Sequence, residues 1–275
     1  MENLKKISVI TVLNRGMRFY MTALKSYLYQ TYPNTEWLII DNTGKNIIRS
    51  KFMKYLMHEN RIRILTNLVS LSPQDVLRQG VENTQGEYIA FLRPVDYWVK
   101  DKLSRQMAYM ERYKAMLSHT SYAFGDNECH LLKVGCYHSE TELNLLNYNV
   151  NKNPVSVSTM MFRRYYTPID CGKFDEKTGQ FDIMLLFLKS GVVSSGMSDV
   201  MTVCRPLFSK SEQLKIDQVV KEINQIDTTD DSLKAKVLEH YAMNALNVAP
   251  LKLDPYGYVG HDVIDSLIEL QNFKI

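Results

Sequence analysis

The chain has 275 residues, of which 45% are hydrophobic and 23% are charged, a composition typical of a folded protein with one large domain or two small ones. Its formal net charge is +3, from 33 basic and 30 acidic residues, and no lysine- and arginine-rich run occurs, so composition does not favour nucleic-acid binding. No apolar stretch reaches the roughly 18 to 20 residues that a membrane-spanning helix needs.

Short apolar runs alternate with helical patterns in the first part of the chain. The runs cover residues 7–13, 37–40, 62–65 and 87–92. Such runs are typical of strands buried on both faces of a parallel sheet. Between them, apolar residues recur at helical spacing in residues 17–28, 48–56 and 76–81. The alternation predicts right-handed β-α-β units in a doubly wound α/β sheet. The first run lacks the cleavage site of a signal peptide, so we expect a strand there.

The rest of the chain has a less regular pattern. A helix is predicted after Trp98, because Leu103, Met107 and Met110 share one helical face. Later segments predict a strand, a short helix and a last strand, at residues 155–162, 181–189 and 199–203. After Ser209 the composition becomes more polar and helical, and the chain ends in an amphipathic helix.

The cysteines and histidines do not form a recognised metal or redox pattern. Four cysteines at irregular spacing in a chain of this length do not require disulfides, so a reducing cytosol is the expected location. Cys129, His130, Cys136 and His138 are close in sequence, but their C-H-x5-C-x-H spacing is not one of the usual zinc patterns. The chain contains no P-loop and no G-x-G-x-x-G motif, which argues against a P-loop kinase and a dinucleotide oxidoreductase.

The residues after each predicted strand carry the functional information, because ligands of doubly wound sheets bind beyond the carboxyl ends of the strands. These segments are VLNRG, DNTGKN, TN and RPVDYW. Together with QTYPNTEWLIIDN and ENTQGEYIAFL, they resemble the N-terminal half of the family 2 glycosyltransferases over roughly residues 6–112. A weaker similarity, GKFDE followed by FDIMLLFLKSG, occurs further along in the expected order.

The resemblance implies a GT-A fold, a nucleotide-sugar donor and a glycan, lipid-linked or protein acceptor. It implies a glycosyltransferase domain at residues 1–208, with a nucleotide-binding half at 1–116 and an acceptor half at 117–208. Residues 209–275 form the expected helical C-terminal extension. We expect this extension to contact the acceptor, a partner chain, a second copy or the inner face of the membrane.

The position expected near the nucleobase departs from the family pattern. The family's second strand ends in two aspartates, whereas this chain has Asp41 and Asn42. Asparagine both donates and accepts hydrogen bonds, so Asn42 could pair with the N–H of uracil or guanine, or with cytosine. The alternative interpretation is a turn, because Asp, Asn, Thr and Gly after a strand are common loop formers.

The diphosphate position departs most from the family. Where the family's D-x-D motif binds Mn²⁺ or Mg²⁺, this chain has Arg93, Pro94, Val95 and Asp96, and valine has no ligand atom. Arg93 is a candidate for a fixed positive charge at the diphosphate, because guanidinium suits bidentate phosphate contacts. The alternatives are a solvated Arg93 at a decayed site, and a metal bound through Asp96 with a distant second ligand.

The resemblance assigns the catalytic base to Asp182, at the start of the helix after the GKFDE loop. The family usually has Glu-Asp there, whereas Phe181 precedes Asp182 in this chain. An aspartate at a helix start also caps backbone N–H groups, so both roles are open. Arg78 matches an arginine near the nucleotide, and Asn14 matches the loop after the first strand; a solvated surface role is equally open for both.

These features predict an inverting hexosyltransferase of surface polysaccharide or glycoconjugate synthesis that works without a metal. Inversion is implied by the resemblance alone. No cofactor is assigned, and Mn²⁺ or Mg²⁺ would have only Asp96 to bind. The alternative is a catalytically inactive subunit that binds a nucleotide or a partner protein, because Asn42, Val95 and Phe181 replace three residues tied to the chemistry.

Overall fold

The computed structural model describes residues 4–14, 21–45, 59–125, 131–135, 142–146, 155–167 and 183–204. Within these ranges the strands are β1 (Ile7–Leu13), β2 (Thr35–Asp41), β3 (Ile62–Thr66), β4 (Tyr88–Phe91), β5 (Tyr97–Trp98), β6 (Leu117–Gly125), β7 (Leu131–Gly135), β8 (Met161–Arg163) and β9 (Ser194–Cys204). The α-helices of the same ranges are α1 (Met21–Leu28), α2 (Pro73–Glu82), α3 (Lys102–Arg112) and α4 (Ile183–Lys189).

One mostly parallel sheet organises the described part of the chain. Its strand order is β3-β2-β1-β4-β8-β6-β9-β5, with β7 paired to β6. The four strands from β3 to β4 are parallel, as the alternating pattern predicts. β8 is antiparallel to both β4 and β6, whereas β6 and β9 are parallel. The prediction of a doubly wound α/β sheet is therefore confirmed.

The sheet is buried on both faces, as its continuous apolar strands require. Successive side chains of a strand point to opposite faces. On one face, Val9 and Trp37 pack with residues of α1 and α3. On the other face, Ile10 and Ile40 pack with residues of α2 and α4. Helices on both faces hold the carboxyl ends of β1, β2 and β4 at one edge of the molecule.

The start of α2 follows from its sequence. Ser72 is the N-cap residue, and its Oγ accepts a hydrogen bond from the backbone N–H of Asp75 at 3.2 Å. Pro73 is the first helical residue, where a missing N–H costs nothing. This capping fixes the first turn of α2 beside the carboxyl edge of the sheet.

Two predicted elements differ from the structure. The strand predicted over residues 155–162 is a short 3₁₀ turn, Val157–Thr159, followed by β8. The backbone N–H and the hydroxyl of Thr159 both donate to the carbonyl of Ser156, and such local bonds compete with a strand ladder. β9 begins at Ser194, earlier than the strand predicted from Asp199. Its first residues are small and polar, so only the pairing with β6 identifies them as a strand.

The helix predicted over residues 48–56 and the helical extension at 209–275 lie outside the described residues. The described helices include none whose length and hydropathy would allow it to cross a membrane.

Lys102, at the first position of α3, is a fully buried lysine. Its Nζ lies 4.3 Å from the centroid of the Trp98 ring and has no hydrogen-bond partner among the described residues. Burial penalises the charged form and lowers the pKa of Lys102 from 10.5 to about 7. The lysine therefore costs stability when it must carry a charge.

We expect the free energy of unfolding to rise between pH 7 and 10 because of Lys102. In this window the unfolded lysine binds a proton that the folded lysine has lost, so stability rises by up to about 1.4 kcal/mol per pH unit. Below pH 7 both states are protonated and this contribution is constant. Urea unfolding at pH 7 and at pH 9 gives the free energy of unfolding of wild type and of Lys102→Met. The rise with pH that Lys102 causes should be present in wild type and absent from Lys102→Met. Lys25→Met, at a partly exposed site, is the matched control and should keep it. An unchanged slope in Lys102→Met would refute the assignment.

Candidate active site

A cleft of about 180 Å³ opens at the carboxyl edge of the sheet, where β1 and β4 end. β1 lies between β2 and β4, so this is the point where the winding of the sheet reverses. Ligands of open α/β sheets bind at such points. The lining is mostly apolar and comprises Ile10, Val12, Asn14, Pro73, Val76, Leu77, Phe91, Leu92, Arg93, Pro94, Val157 and Ile183. Asn14 and Arg93 are its polar members among the described residues.

Arg93 and Asp96 form a bidentate ion pair at this cleft. Arg93 Nε donates to Asp96 Oδ2, and Arg93 Nη2 donates to Asp96 Oδ1, both at 2.7 Å. The Asp96 side chain is 0% exposed, whereas that of Arg93 is 29% exposed and lines the cleft. The carboxylate of the pair is thus inside the protein, whereas the arginine is partly exposed and borders the cleft. We call this pair the Arg93–Asp96 fork.

Ser158 holds the fork from a distant part of the chain. Its Oγ donates to Asp96 Oδ2 at 2.6 Å and accepts from the backbone N–H of Arg93 at 3.0 Å. The carbonyl of Ser158 accepts from Trp98 Nε1 at 2.8 Å and from the Thr202 hydroxyl at 3.3 Å. The 3₁₀ turn at Val157–Thr159 is therefore fixed against β5 and β9, and the fork has a rigid support.

The surroundings keep the fork charged. Burial acts to lower the pKa of Arg93, but the charge and hydrogen bonds of Asp96 outweigh it and raise that pKa above its usual value. Burial and the Asp96 charge also raise the pKa of the neighbouring Cys204 thiol. Because a thiol is neutral when protonated, Cys204 stays neutral while Arg93 stays charged. Among the described residues that line the cleft, Arg93 is therefore the one that keeps a positive charge.

Asp41 and Asn42 lie beside the cleft, at the end of β2. Asp41 Oδ1 accepts from the backbone N–H and the hydroxyl of Thr43, at 3.1 and 2.6 Å, as in the turn interpretation. Gly44 follows with a φ of 73°, which glycine adopts without strain. The Asn42 side chain is buried and bonds to Asn14 and to the backbone of Leu71.

The amide of Asn67 extends this polar network. Asn67 Nδ2 donates to Asn42 Oδ1 at 3.1 Å, and Asn67 exchanges two hydrogen bonds with Gln79 of α2, at 3.0 and 2.9 Å. Four amide side chains, Asn14, Asn42, Asn67 and Gln79, therefore connect the ends of β1, β2 and β3 with α2.

The family model described as glycosyl transferase family 2 matches residues 9–167, more than half of the chain. The chain belongs to glycosyltransferase family 2. The matched residues include the whole cleft except Ile183.

Several known proteins share sequence similarity with this family member. An uncharacterized glycosyltransferase of Rickettsia conorii is 36% identical over 117 residues, which are 42% of this chain and 19% of that protein. TuaG of Bacillus subtilis, a putative teichuronic acid biosynthesis glycosyltransferase, is 28% identical over 42% of this chain and 46% of its own length. The chain thus spans less than half the length of these two relatives. Escherichia coli WfaP, a UDP-Glc:α-D-GlcNAc-diphosphoundecaprenol β-1,3-glucosyltransferase, is 24% identical over 86% of this chain and 92% of its own length.

Solved structures of Staphylococcus aureus TarS show the same fold. The complex of TarS residues 1–349 with UDP-GlcNAc has a TM-score of 0.58 at 15% identity, covering 96% of this chain and 80% of that one. The complex with UDP has a TM-score of 0.57 and covers 97% and 82%. The chain accordingly has the GT-A fold that its sequence resemblance implies.

Residues 93–96, where the resemblance expects a metal-binding motif, do not fit a divalent cation. Val95 is buried and has no ligand atom. Both carboxylate oxygens of Asp96 already accept hydrogen bonds from Arg93, and Oδ2 also accepts from Ser158. Mn²⁺ or Mg²⁺, which require oxygen ligands, would have to bind directly beside the positively charged guanidinium of Arg93, which repels them.

The structure brings together some of the predicted site residues and not others. Arg93 and Asp96 form the fork, and Asn42 contacts Asn14 at the cleft. Arg78 is partly exposed on α2, pairs with Asp75 at 3.7 Å and is not among the residues that line the cleft. Asp182 lies outside the described residues, as do the four residues of the zinc candidate. Ser158 was not singled out from the sequence, where a serine alone gives no signal, and Asn67 was noted only as part of the TN segment after the third strand.

Proposed function

We propose that the protein transfers a sugar from a nucleoside diphosphate sugar to an acceptor hydroxyl, and that Arg93 supplies the positive charge that a metal ion supplies elsewhere in the family. The observation that carries this proposal is the orientation of the Arg93–Asp96 fork. Arg93 lines a cleft at the carboxyl edge of a GT-A fold, and its partner Asp96 is buried.

The fork suits a leaving group that gains negative charge. As the bond between the sugar and the diphosphate breaks, charge builds up on the diphosphate oxygens. Donors that are already oriented stabilise such charge without further reorganisation, and they act most strongly in a site shielded from water. Asp96 and Ser158 hold the guanidinium of Arg93 in one orientation before the donor binds.

The proposed reaction is a single displacement with inversion at the anomeric carbon. The acceptor oxygen forms a bond to this carbon while the carbon–oxygen bond to the diphosphate breaks, and the diphosphate leaves with the bonding electron pair. Asp182 accepts the proton of the acceptor hydroxyl. Two facts support this role: Asp182 directly precedes α4, and Ile183, the first residue of α4, lines the cleft with Arg93.

We propose a UDP-sugar as donor and a lipid-linked saccharide as acceptor. The name of WfaP, which aligns with most of this chain, specifies UDP-glucose and a diphosphoundecaprenol-linked acceptor. TarS, which has the same fold, binds UDP-GlcNAc and UDP. A lipid-linked acceptor would place the reaction at the inner face of a membrane in surface polysaccharide synthesis. In this proposal the extension at 209–275 faces the acceptor or the membrane.

A screen of sugar nucleotides tests the proposed function. UDP-, GDP-, CMP- and dTDP-sugars are added singly, and melting temperature and release of the free nucleotide are measured. A ligand that binds only the folded state raises the melting temperature. We expect UDP-sugars to raise it and to be slowly hydrolysed. Binding without turnover on any acceptor would support the inactive subunit, to which the replaced residues Asn42, Val95 and Phe181 also point. Neither binding nor turnover would overturn the proposal.

A further inference from the structure

The amide of Asn42 makes as many hydrogen bonds as it can. Its Nδ2 donates to Leu71 O at 3.1 Å and to Asn14 Oδ1 at 3.0 Å. Its Oδ1 accepts from the backbone N–H of Leu71 at 2.8 Å and from Asn67 Nδ2 at 3.1 Å. Two donors and two acceptors are the full capacity of an asparagine side chain. Asn42 is therefore committed to the protein and is not free to bind a nucleobase.

The orientation of Asn42 is determined by the backbone of Leu71. Side-chain amides can be turned over, but a backbone N–H only donates and a backbone C=O only accepts. Leu71 presents both to Asn42, so Oδ1 must face the N–H and Nδ2 must face the C=O. The second N–H of Nδ2 then points at Asn14.

The orientation of Asn14 follows from that of Asn42. Asn14 uses its Oδ1 to accept from Asn42, so its own Nδ2 faces away from Asn42. Asn14 is exposed and lines the same cleft as Arg93. Its Nδ2 has no acceptor among the described residues. The cleft therefore combines an oriented neutral donor with a cation.

We propose that Asn14 Nδ2 is a specificity-determining donor that binds an oxygen of the nucleotide, and that Asn42 is the positioning residue that orients it. The acceptor is either a carbonyl oxygen of the base or a phosphate oxygen, because both are oxygen acceptors without a proton. This inference rests on the proposed function, since it assumes that a nucleotide enters the cleft. In this inference, Asn42 replaces the family's aspartate because an amide is needed to orient Asn14, and not because the site has lost its function.

An aspartate at position 42 is expected to turn over the Asn14 amide, so that Oδ1 and not Nδ2 faces away from residue 42. The carboxylate of Asn42→Asp has no proton to donate, so Asn14 must rotate its amide and donate Nδ2 to Asp. Its Oδ1 then faces the cleft and repels oxygen acceptors. Asn14→Asp also removes the donor, but it keeps the oxygen that Asn42 needs. The two variants thus lose the same donor through different changes.

Isothermal titration of each variant with UDP, CDP, uridine and inorganic pyrophosphate tests this inference. We expect both variants to bind UDP at least about tenfold more weakly, because each loses one hydrogen-bond donor and adds a negative charge near the diphosphate. If a base carbonyl is bound, the affinity for uridine falls with that for UDP. The affinity for CDP falls equally if the carbonyl is O2, which both bases carry, and falls less if it is O4 of uracil. If a phosphate oxygen is bound, the affinity for uridine is unchanged, and the affinities for UDP, CDP and pyrophosphate fall equally also in the neutral variant Asn14→Ala, which loses the donor without adding a charge.

Asn144→Asp is the matched control, because Asn144 also accepts through Oδ1, from the backbone N–H of Leu146, at a site outside the cleft. It should bind UDP like wild type. Thermal unfolding shows whether Asn42→Asp is folded, and Asn14→Asp tests the donor independently of that result. Wild-type affinity in Asn14→Asp would overturn the inference and leave the proposed function intact. Failure of the wild-type protein to bind any of the nucleotides would overturn the proposed function itself.

Discussion

Replacing both members of the Arg93–Asp96 fork, in the variant Arg93→Met/Asp96→Asn, should lower kcat/KM for sugar transfer by about 10²- to 10³-fold, the usual effect of removing an oriented charge-stabilising donor. The physical reason is the loss of the cation that faces the leaving diphosphate. The double variant is the sharper test because it removes both charges together. Arg93→Ala alone would leave Asp96 as a buried unpaired charge, at a cost of about 3–5 kcal/mol in stability.

Arg93→Lys is the companion variant. It keeps the positive charge but not the planar pair of N–H donors, so Asp96 would lose one of its two bonds to residue 93. We expect activity between that of wild type and the double variant, and urea unfolding confirms that each protein is folded. A folded double variant with wild-type kcat/KM would show that Arg93 does not act on the diphosphate.

Asp182→Asn should lower kcat by about 10²- to 10⁴-fold, the range for loss of a positioned general base. The substitution keeps the shape of the side chain, and asparagine caps a helix about as well as aspartate. A purely structural role would therefore be preserved, and only proton transfer would be lost. Donor affinity, measured by titration with a UDP-sugar, should stay at the wild-type value.

Asp199→Asn is the control for Asp182→Asn, because Asp199 is a half-exposed carboxylate of β9 that pairs with Arg105. It should be as active as wild type. Undiminished kcat in Asp182→Asn would mean that another group accepts the proton, and the base would have to be sought elsewhere.

The first half of the fold is predictable from the sequence because its signals are local. β1 coincides with the apolar run at residues 7–13, and β2 and β3 extend the predicted runs by only one or two residues at their ends. Strands buried on both faces need continuous apolar residues, and the helices between them need the helical period. Both requirements are visible in a single sequence. The position of the cleft then follows from the topology.

The candidate site is only partly predictable, because its geometry depends on contacts between distant residues. The sequence shows that Arg93 and Asp96 are three residues apart, but it does not show that Ser158 supports them across 62 positions. The same holds for Asn42, whose amide is oriented by the backbone of Leu71, 29 residues away. The sequence leaves both a base-binding and a turn-forming role open at position 42. The partners on each side of the amide favour a positioning role.

Sugar transfer measured with EDTA and then with added Mn²⁺ tests most directly whether a guanidinium has taken the place of the metal ion. The guanidinium of Arg93 lies against both oxygens of Asp96 and repels a second cation there, so kcat/KM should be the same under chelation as with Mn²⁺. Loss of activity in EDTA that Mn²⁺ restores would contradict the account, because it would show that a divalent cation, and not Arg93, carries the charge at the diphosphate.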